Sequence, residues 1–144
     1  MYADLHIHSC FSDGILSPTE ILDEVINTSL ESIAITDHDN IQGSIEAQKI
    51  NRRNGYDLEI IPGIEFSCLE NRQDFHIIGL FIDYDSPYLN ETIDVMQKKR
   101  IDSIKKIVKF LNQKNINISF EDILSLAKGS VGRPHIALDL INKQ

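Results

Sequence analysis

Two histidines two positions apart, His6 and His8, open the chain on one face of an alternating segment. Such a pair aims both rings the same way. That suits two imidazoles on one metal ion, at Zn–N distances of about 2.0–2.1 Å, although an exposed edge strand carries the same pattern. Asp13 follows in the turn Phe11-Ser12-Asp13-Gly14, where a carboxylate stands as ligand or as ordinary turn residue. An apolar run then ends in Thr36-Asp37-His38-Asp39. Burying such a cluster is costly without a cation or partners, so His38 reads as a ligand. Asp37 or Asp39 then reads as the carboxylate that fixes an imidazole's tautomer. Glu65, within Pro62-Gly63-Ile64-Glu65-Phe66-Ser67, either faces water or turns inward, where a carboxylate can bridge two ions. His76 opens His76-Ile77-Ile78-Gly79, a setting in which a satisfied core histidine is the commoner outcome.

These residues need strand ends to converge on. Leu5 and Ile7 alternate with Asp4, His6 and His8, which predicts a first strand over 2–8. Ser17-Pro18-Thr19-Glu20 is a capping box with proline at the first helical position, and Ile21, Leu22, Val25 and Ile26 supply an apolar stripe behind it. Short apolar strands are predicted over 32–36, 58–61 and 75–82, with a second helix from about Ser44 to Arg53 stopped by Asn54-Gly55. Alternating strands and helices predict βα units on a largely parallel sheet, whose strand C-termini are where sites are built. After Asp85-Ser86-Pro87 the pattern becomes helical: one long helix, a second capped at Ser119, and a third near Pro134. The stripe Lys98, Lys99, Arg100, Lys105, Lys106, Lys109 and Lys114 reads as a solvated face of the long helix, or as steering for a nucleotide strand.

The 144 residues make one ordinary domain's worth of chain, and the net charge of −8 argues against a duplex-DNA-binding protein, which needs a basic face. Without an apolar run of about 20 residues or a basic and apolar leader, a cytoplasmic protein with no membrane partner is expected. Cys10 and Cys68 form no spacing motif and are expected to be reduced.

The series Asp4-Leu5-His6-Ile7-His8-Ser9, Ser12-Asp13-Gly14, Thr36-Asp37-His38-Asp39, Gly63-Ile64-Glu65-Phe66-Ser67 and His76-Ile77-Ile78-Gly79 closely resembles the PHP (polymerase and histidinol phosphatase) family, in its order and spacing. The resemblance implies an α/β fold, a distorted (β/α)7 barrel with a trinuclear metal centre. It makes His6, His8 and Glu65 ligands of a first ion and Asp13 and His38 ligands of a second. Glu65 would bridge to a third, which His76 also binds. The family's remaining ligands, a histidine and an Asp-x-His pair in the second half of the barrel, find no match here. Residues 1–86 are therefore expected to be the first part of the barrel, in a fragment or a degenerate remnant, and 87–144 a helical insertion subdomain. Gly132-Arg133-Pro134-His135 resembles the insertion of the branch that holds nucleoside 3′,5′-bisphosphate phosphatases and 5′–3′ exoribonucleases, where Arg133 and His135 would contact substrate phosphate.

The implied activity is a phosphoric ester hydrolase acting through metal-activated hydroxide on a small phosphorylated substrate, a nucleotide or short RNA. Imidazole and carboxylate donors favour up to three Zn, Mn or Fe ions over Mg or Ca. Three alternatives stand beside it: a non-catalytic metal-binding fragment, a histidinol-phosphatase-like enzyme and an amidohydrolase-like enzyme. An open half-barrel edge would also invite self-association.

Overall fold

The computed structural model describes residues 2–71 and 73–143. Strand β1 (Tyr2–Ile7) leads through a loop into α1 (Pro18–Val25), then β2 (Leu30–Ile35) and α2 (Gln42–Asn54). Ser17 accepts from the Glu20 amide and Glu20 reaches back, so α1 starts where its capping box predicts. Gly55 ends α2 with φ 68°, a left-handed position that costs glycine nothing.

β1, β2 and the short β3 (Glu59–Ile60) pair in parallel, with β2 central. Ile33, Ala34 and Ile35 on β2 are all fully buried, as expected of a strand covered on both faces. Pro62 interrupts the next strand, and β4 (Gly63–Glu70) resumes beside the extension of β2, where His38 and Glu65 form a parallel bridge. β5 (Gln73–Leu80) then returns antiparallel to β4 through a turn containing Asn71 at φ 51°. The largely parallel sheet predicted from sequence is thus corrected at its last strand. An apolar run reads alike in either direction, and only the tight turn makes the hairpin.

Three helices complete the chain: α3 (Pro87–Gln113), α4 (Phe120–Leu126) and α5 (Arg133–Asn142). α3 is 27 residues long, about 40 Å at 1.5 Å per residue. Its first half places Ile93 against Ile41 and Ile64 of the sheet region. Its second half places Ile104 and Val108 in a separate core with Ile118, Ile123, Val131 and Ile136. A third core, built on Leu22, Val25, Ile33, Ile35 and Ile50, fixes α1 and α2 over β2. Each fully buried aliphatic side chain there contributes about 2 kcal/mol.

Candidate metal centre

Glu65 is the focus of the site. The parallel bridge to His38 turns its side chain inward, leaving it only 3% exposed. Oε2 lies 3.1 Å from His6 Nε2, 2.9 Å from His8 Nε2 and 3.5 Å from His38 Nδ1, while Oε1 lies 2.8 Å from His76 Nδ1. Asp13 stands on the far side of His8 and His38, with Oδ1 3.2 Å from His8 Nδ1 and Oδ2 3.7 Å from His38 Nε2. All six residues singled out as metal ligands from sequence are thus brought together. They fall into three overlapping groups, His6–His8–Glu65, His8–Asp13–His38 and His38–Glu65–His76, each with its donor atoms within 4.8 Å of one another.

The spacing fits a metal ion. Two ligand nitrogens on a tetrahedral zinc at about 2.05 Å are about 3.3 Å apart. His6 Nε2 and His8 Nε2 are 3.1 Å apart, both directed at one carboxylate oxygen. Among the described residues, His38 Nδ1 is buried without a hydrogen-bond partner. Lone pairs converging so closely need either protons or a cation between them.

Electrostatics show the same coupling. The hydrogen bond with His8 holds the Asp13 carboxyl down at about 2 against the opposing effect of burial, with the charges of His38 and His8 adding to the pull. The His8 imidazole is correspondingly raised by the Asp13 bond, despite its own burial. Burial alone would raise Glu65, but its bond with His6 and the charges of His38, His8 and His76 keep it below the usual carboxylate range. Burial lowers His38, only partly offset by Asp13 and Glu65.

Asp37 and Asp39 lie behind the histidines, each about 1% exposed. The Asp37 carboxylate accepts from the Ser9 amide (2.7 Å), the Ser9 hydroxyl (2.6 Å) and the Ser12 hydroxyl (2.6 Å). Asp39, at φ 49°, accepts from the Ser67 amide and from Arg100 Nε (3.0 Å) and Nη2 (2.8 Å). Their contacts thus run to serines, amides and Arg100. Arg100 corrects the reading of the basic stripe as a solvated face: its side chain is 18% exposed and also reaches the Ser67 hydroxyl and the Val131 carbonyl. A lysine- and arginine-rich helix gave no sign of it. Ser9 and Ser12, equally unmarked in the sequence, are the partners that satisfy Asp37.

A cavity of about 770 Å³ opens beside the cluster; Asp13, His38, His76, Lys99, Arg100 and Arg133 are among the residues that line it, so Arg133 borders the same space as three of the candidate ligands. His135 sits in the first turn of α5, where its Nδ1 accepts from the Gly132 amide and burial lowers its pKa.

Fold and cluster together define an α/β protein with a histidine–carboxylate cluster that could hold a metal ion. The PHP domain model matches residues 4–143, and the chain belongs to this family. It is 32% identical over 139 residues to the 5′–3′ exoribonuclease Rnm of Escherichia coli (strain K12), covering 96% of this chain and 47% of that protein. It is 30% identical over 141 residues to a 3′,5′-nucleoside bisphosphate phosphatase of Chromobacterium violaceum, covering 96% and 49%. Among solved structures, an amidohydrolase from Chromobacterium violaceum, with bound sulfate and no metal, superposes with a TM-score of 0.86 at 30% identity, covering 98% of this chain and 50% of that one. A Bifidobacterium adolescentis protein assigned as a metal-dependent phosphoesterase superposes with the same TM-score at 27% identity, covering 97% and 49%. The chain spans about half the length of the relatives it matches. Among the described residues no helix is long and apolar enough to cross a membrane.

Proposed function

We propose that the chain belongs to a metal-dependent phosphoesterase acting on a nucleotide or short RNA, with residues 1–86 as part of a PHP barrel and 87–144 as its helical insertion. The observation that carries the reading is Glu65, ringed by four imidazoles, two of which, those of His38 and His76, belong to residues lining a cavity that Lys99, Arg100 and Arg133 also line. His6, His8 and Glu65 would hold a first divalent ion, Asp13 and His38 a second, and Glu65 with His76 a third. Zinc, manganese or iron bound there would supply Lewis-acid charge and activate water at neutral pH.

The chain's own residues supply the rest. Arg133 offers a guanidinium fork for a phosphate entering the cavity. His135 receives the Gly132 amide at Nδ1, so the neutral ring carries its proton on Nε2 and can only donate there, which suits a phosphate oxygen. Asp39 and Arg100 hold Ser67 and the His38 loop in place from behind.

The test is Glu65→Gln, with metal content and turnover of p-nitrophenyl phosphate and of a nucleoside 3′,5′-bisphosphate measured in parallel. Loss of most bound metal and of turnover is expected; full metal content in the variant refutes the assignment. The second reading is a metal-binding module without turnover. Bound metal with no hydrolysis by the unsubstituted chain would establish it.

A further inference from the structure

Arg100 lies where α3 passes from one core to the other. The helix buries Ile93 beside the sheet region and next buries Ile104 in the helical core, about three turns on. Polar contacts fill that interval. Gln97 Nε2 donates to the Asp39 carbonyl at 2.9 Å. The Arg100 guanidinium donates to Asp39 Oδ2 through Nε and Nη2, and to the Ser67 hydroxyl oxygen through Nη2. Its Nη1 lies 3.5 Å from the carbonyl of Val131, in the loop that leads to Arg133.

Both principal acceptors are neighbours of candidate ligands. Asp39 directly follows His38, at a φ of 49° that an aspartate holds at some cost. Its amide donates to the Glu65 carbonyl at 2.8 Å, and its Oδ1 accepts from the Ser67 amide at 2.8 Å. Asp39 thus staples the His38 loop to β4. Ser67 stands directly opposite His76 in the hairpin. Opposed residues of an antiparallel pair point to the same face, with Cβ atoms about 4.5–5.5 Å apart. Among the described residues β5 pairs with β4 alone, so the place of His76 is set through β4. Asp39, Ser67 and Arg100 therefore close a ring of hydrogen bonds beside His38 and His76, the two imidazoles grouped with Glu65 in the third cluster. The bonds of Arg100 bypass His6 and His8.

We infer that Arg100 is a positioning residue for the third group: it fixes His38 and His76 relative to Glu65 and registers them against the loop leading to Arg133. A planar guanidinium suits this task, because one rigid fork meets a carboxylate and a hydroxyl at set angles. An ammonium on a flexible stem does not. The alignment of the two histidines follows from hydrogen bonding alone; its value to metal binding rests on the function proposed above.

The test reads the two separately. Arg100→Lys keeps a charge beside Asp39, and Ser67→Ala removes one bond of the ring while leaving the Asp39 ion pair. Proton–carbon correlation spectra of the metal-free chain are expected to show the ring signals of His38 and His76 displaced in both variants and those of His6 in place. Zinc titrations against a competing chelator should show one equivalent weakened about tenfold in each variant. In a His76→Ala background, Arg100→Lys should weaken zinc no further. Unmoved His38 and His76 rings, or zinc affinities that are unchanged or fall equally at every equivalent, overturn the inference. Ring signals displaced as expected in a chain that binds no zinc instead refute the metal reading and leave the alignment standing.

Discussion

Gly43 lies in the first turn of α2, directly over the Asp37 network. A methyl group added there would lie 2.1 Å from Asp37 Oδ2, 2.5 Å from Ser9 Oγ and 3.2 Å from Ile35 Cγ2. No real contact is that short, so the carboxylate and hydroxyl must separate or the helix must lift. Neither atom has room: Asp37 and Ser9 are almost fully buried and bonded to each other at 2.6 Å. Overpacking costs about 1–3 kcal/mol and the lost charge-assisted bond about 1.5–3 kcal/mol, against a helix-propensity gain of at most about 1 kcal/mol. Gly43→Ala should therefore destabilise by about 2–4 kcal/mol, lowering Tm on the order of 10 °C. Urea and thermal melts followed by circular dichroism measure it. Gly55→Ala is the control: nothing lies within 4 Å of its added carbon, and only its φ of 68° opposes the change. Its cost should be about 1 kcal/mol. A Gly43→Ala protein as stable as the original, or more so, would refute the close approach of α2 to Asp37.

Two further outcomes follow from the site. Arg100→Met leaves the Asp39 carboxylate buried without its cation, and a loss of about 3 kcal/mol in urea unfolding is expected, with Arg100→Lys recovering part of it; an unchanged midpoint would return Arg100 to the solvated face. Metal binding should weaken on acidification, because an imidazole must be neutral to ligate; the Asp13 bond raises His8, so calorimetric titrations in buffers of different ionisation enthalpy should show proton release that begins above the ordinary histidine range and grows as pH falls.

Much of this was legible because local rules and site rules point the same way. The Ser17 capping box, the Asn54-Gly55 stop and the first strand around His6 and His8 each concern neighbours a few residues apart, and each appears in the structure where it was read, although Leu5 of that strand is exposed and only Ile7 packs against the core. Of the six candidate ligands, His38 stood out as part of a titratable cluster that folding alone does not explain, while Asp13, Glu65 and His76 each had an ordinary structural reading and joined the set through the order and spacing of the motifs. What was hidden depends on distant partners. Ser9 and Ser12 are ordinary loop residues until β2 brings Asp37 between them. Arg100 differs from its neighbouring lysines only in facing Asp39, 61 positions away. The antiparallel return of β5 was missed because side-chain alternation carries no strand direction.

The broken strand at Pro62 also bears on the order in which the centre assembles. Glu65 and His76 sit on adjacent strands of a hairpin, with Ser67 directly opposite His76, so they can meet through a local closure of about 1–10 μs. The hairpin alone is marginal. His6 reaches the same carboxylate only across 59 positions of chain, once β1, β2 and β4 have aligned. Glu65 is thus the kinetic seam of the molecule: one of its oxygens is engaged by an early, local contact, and the other by the slowest, most distant ones.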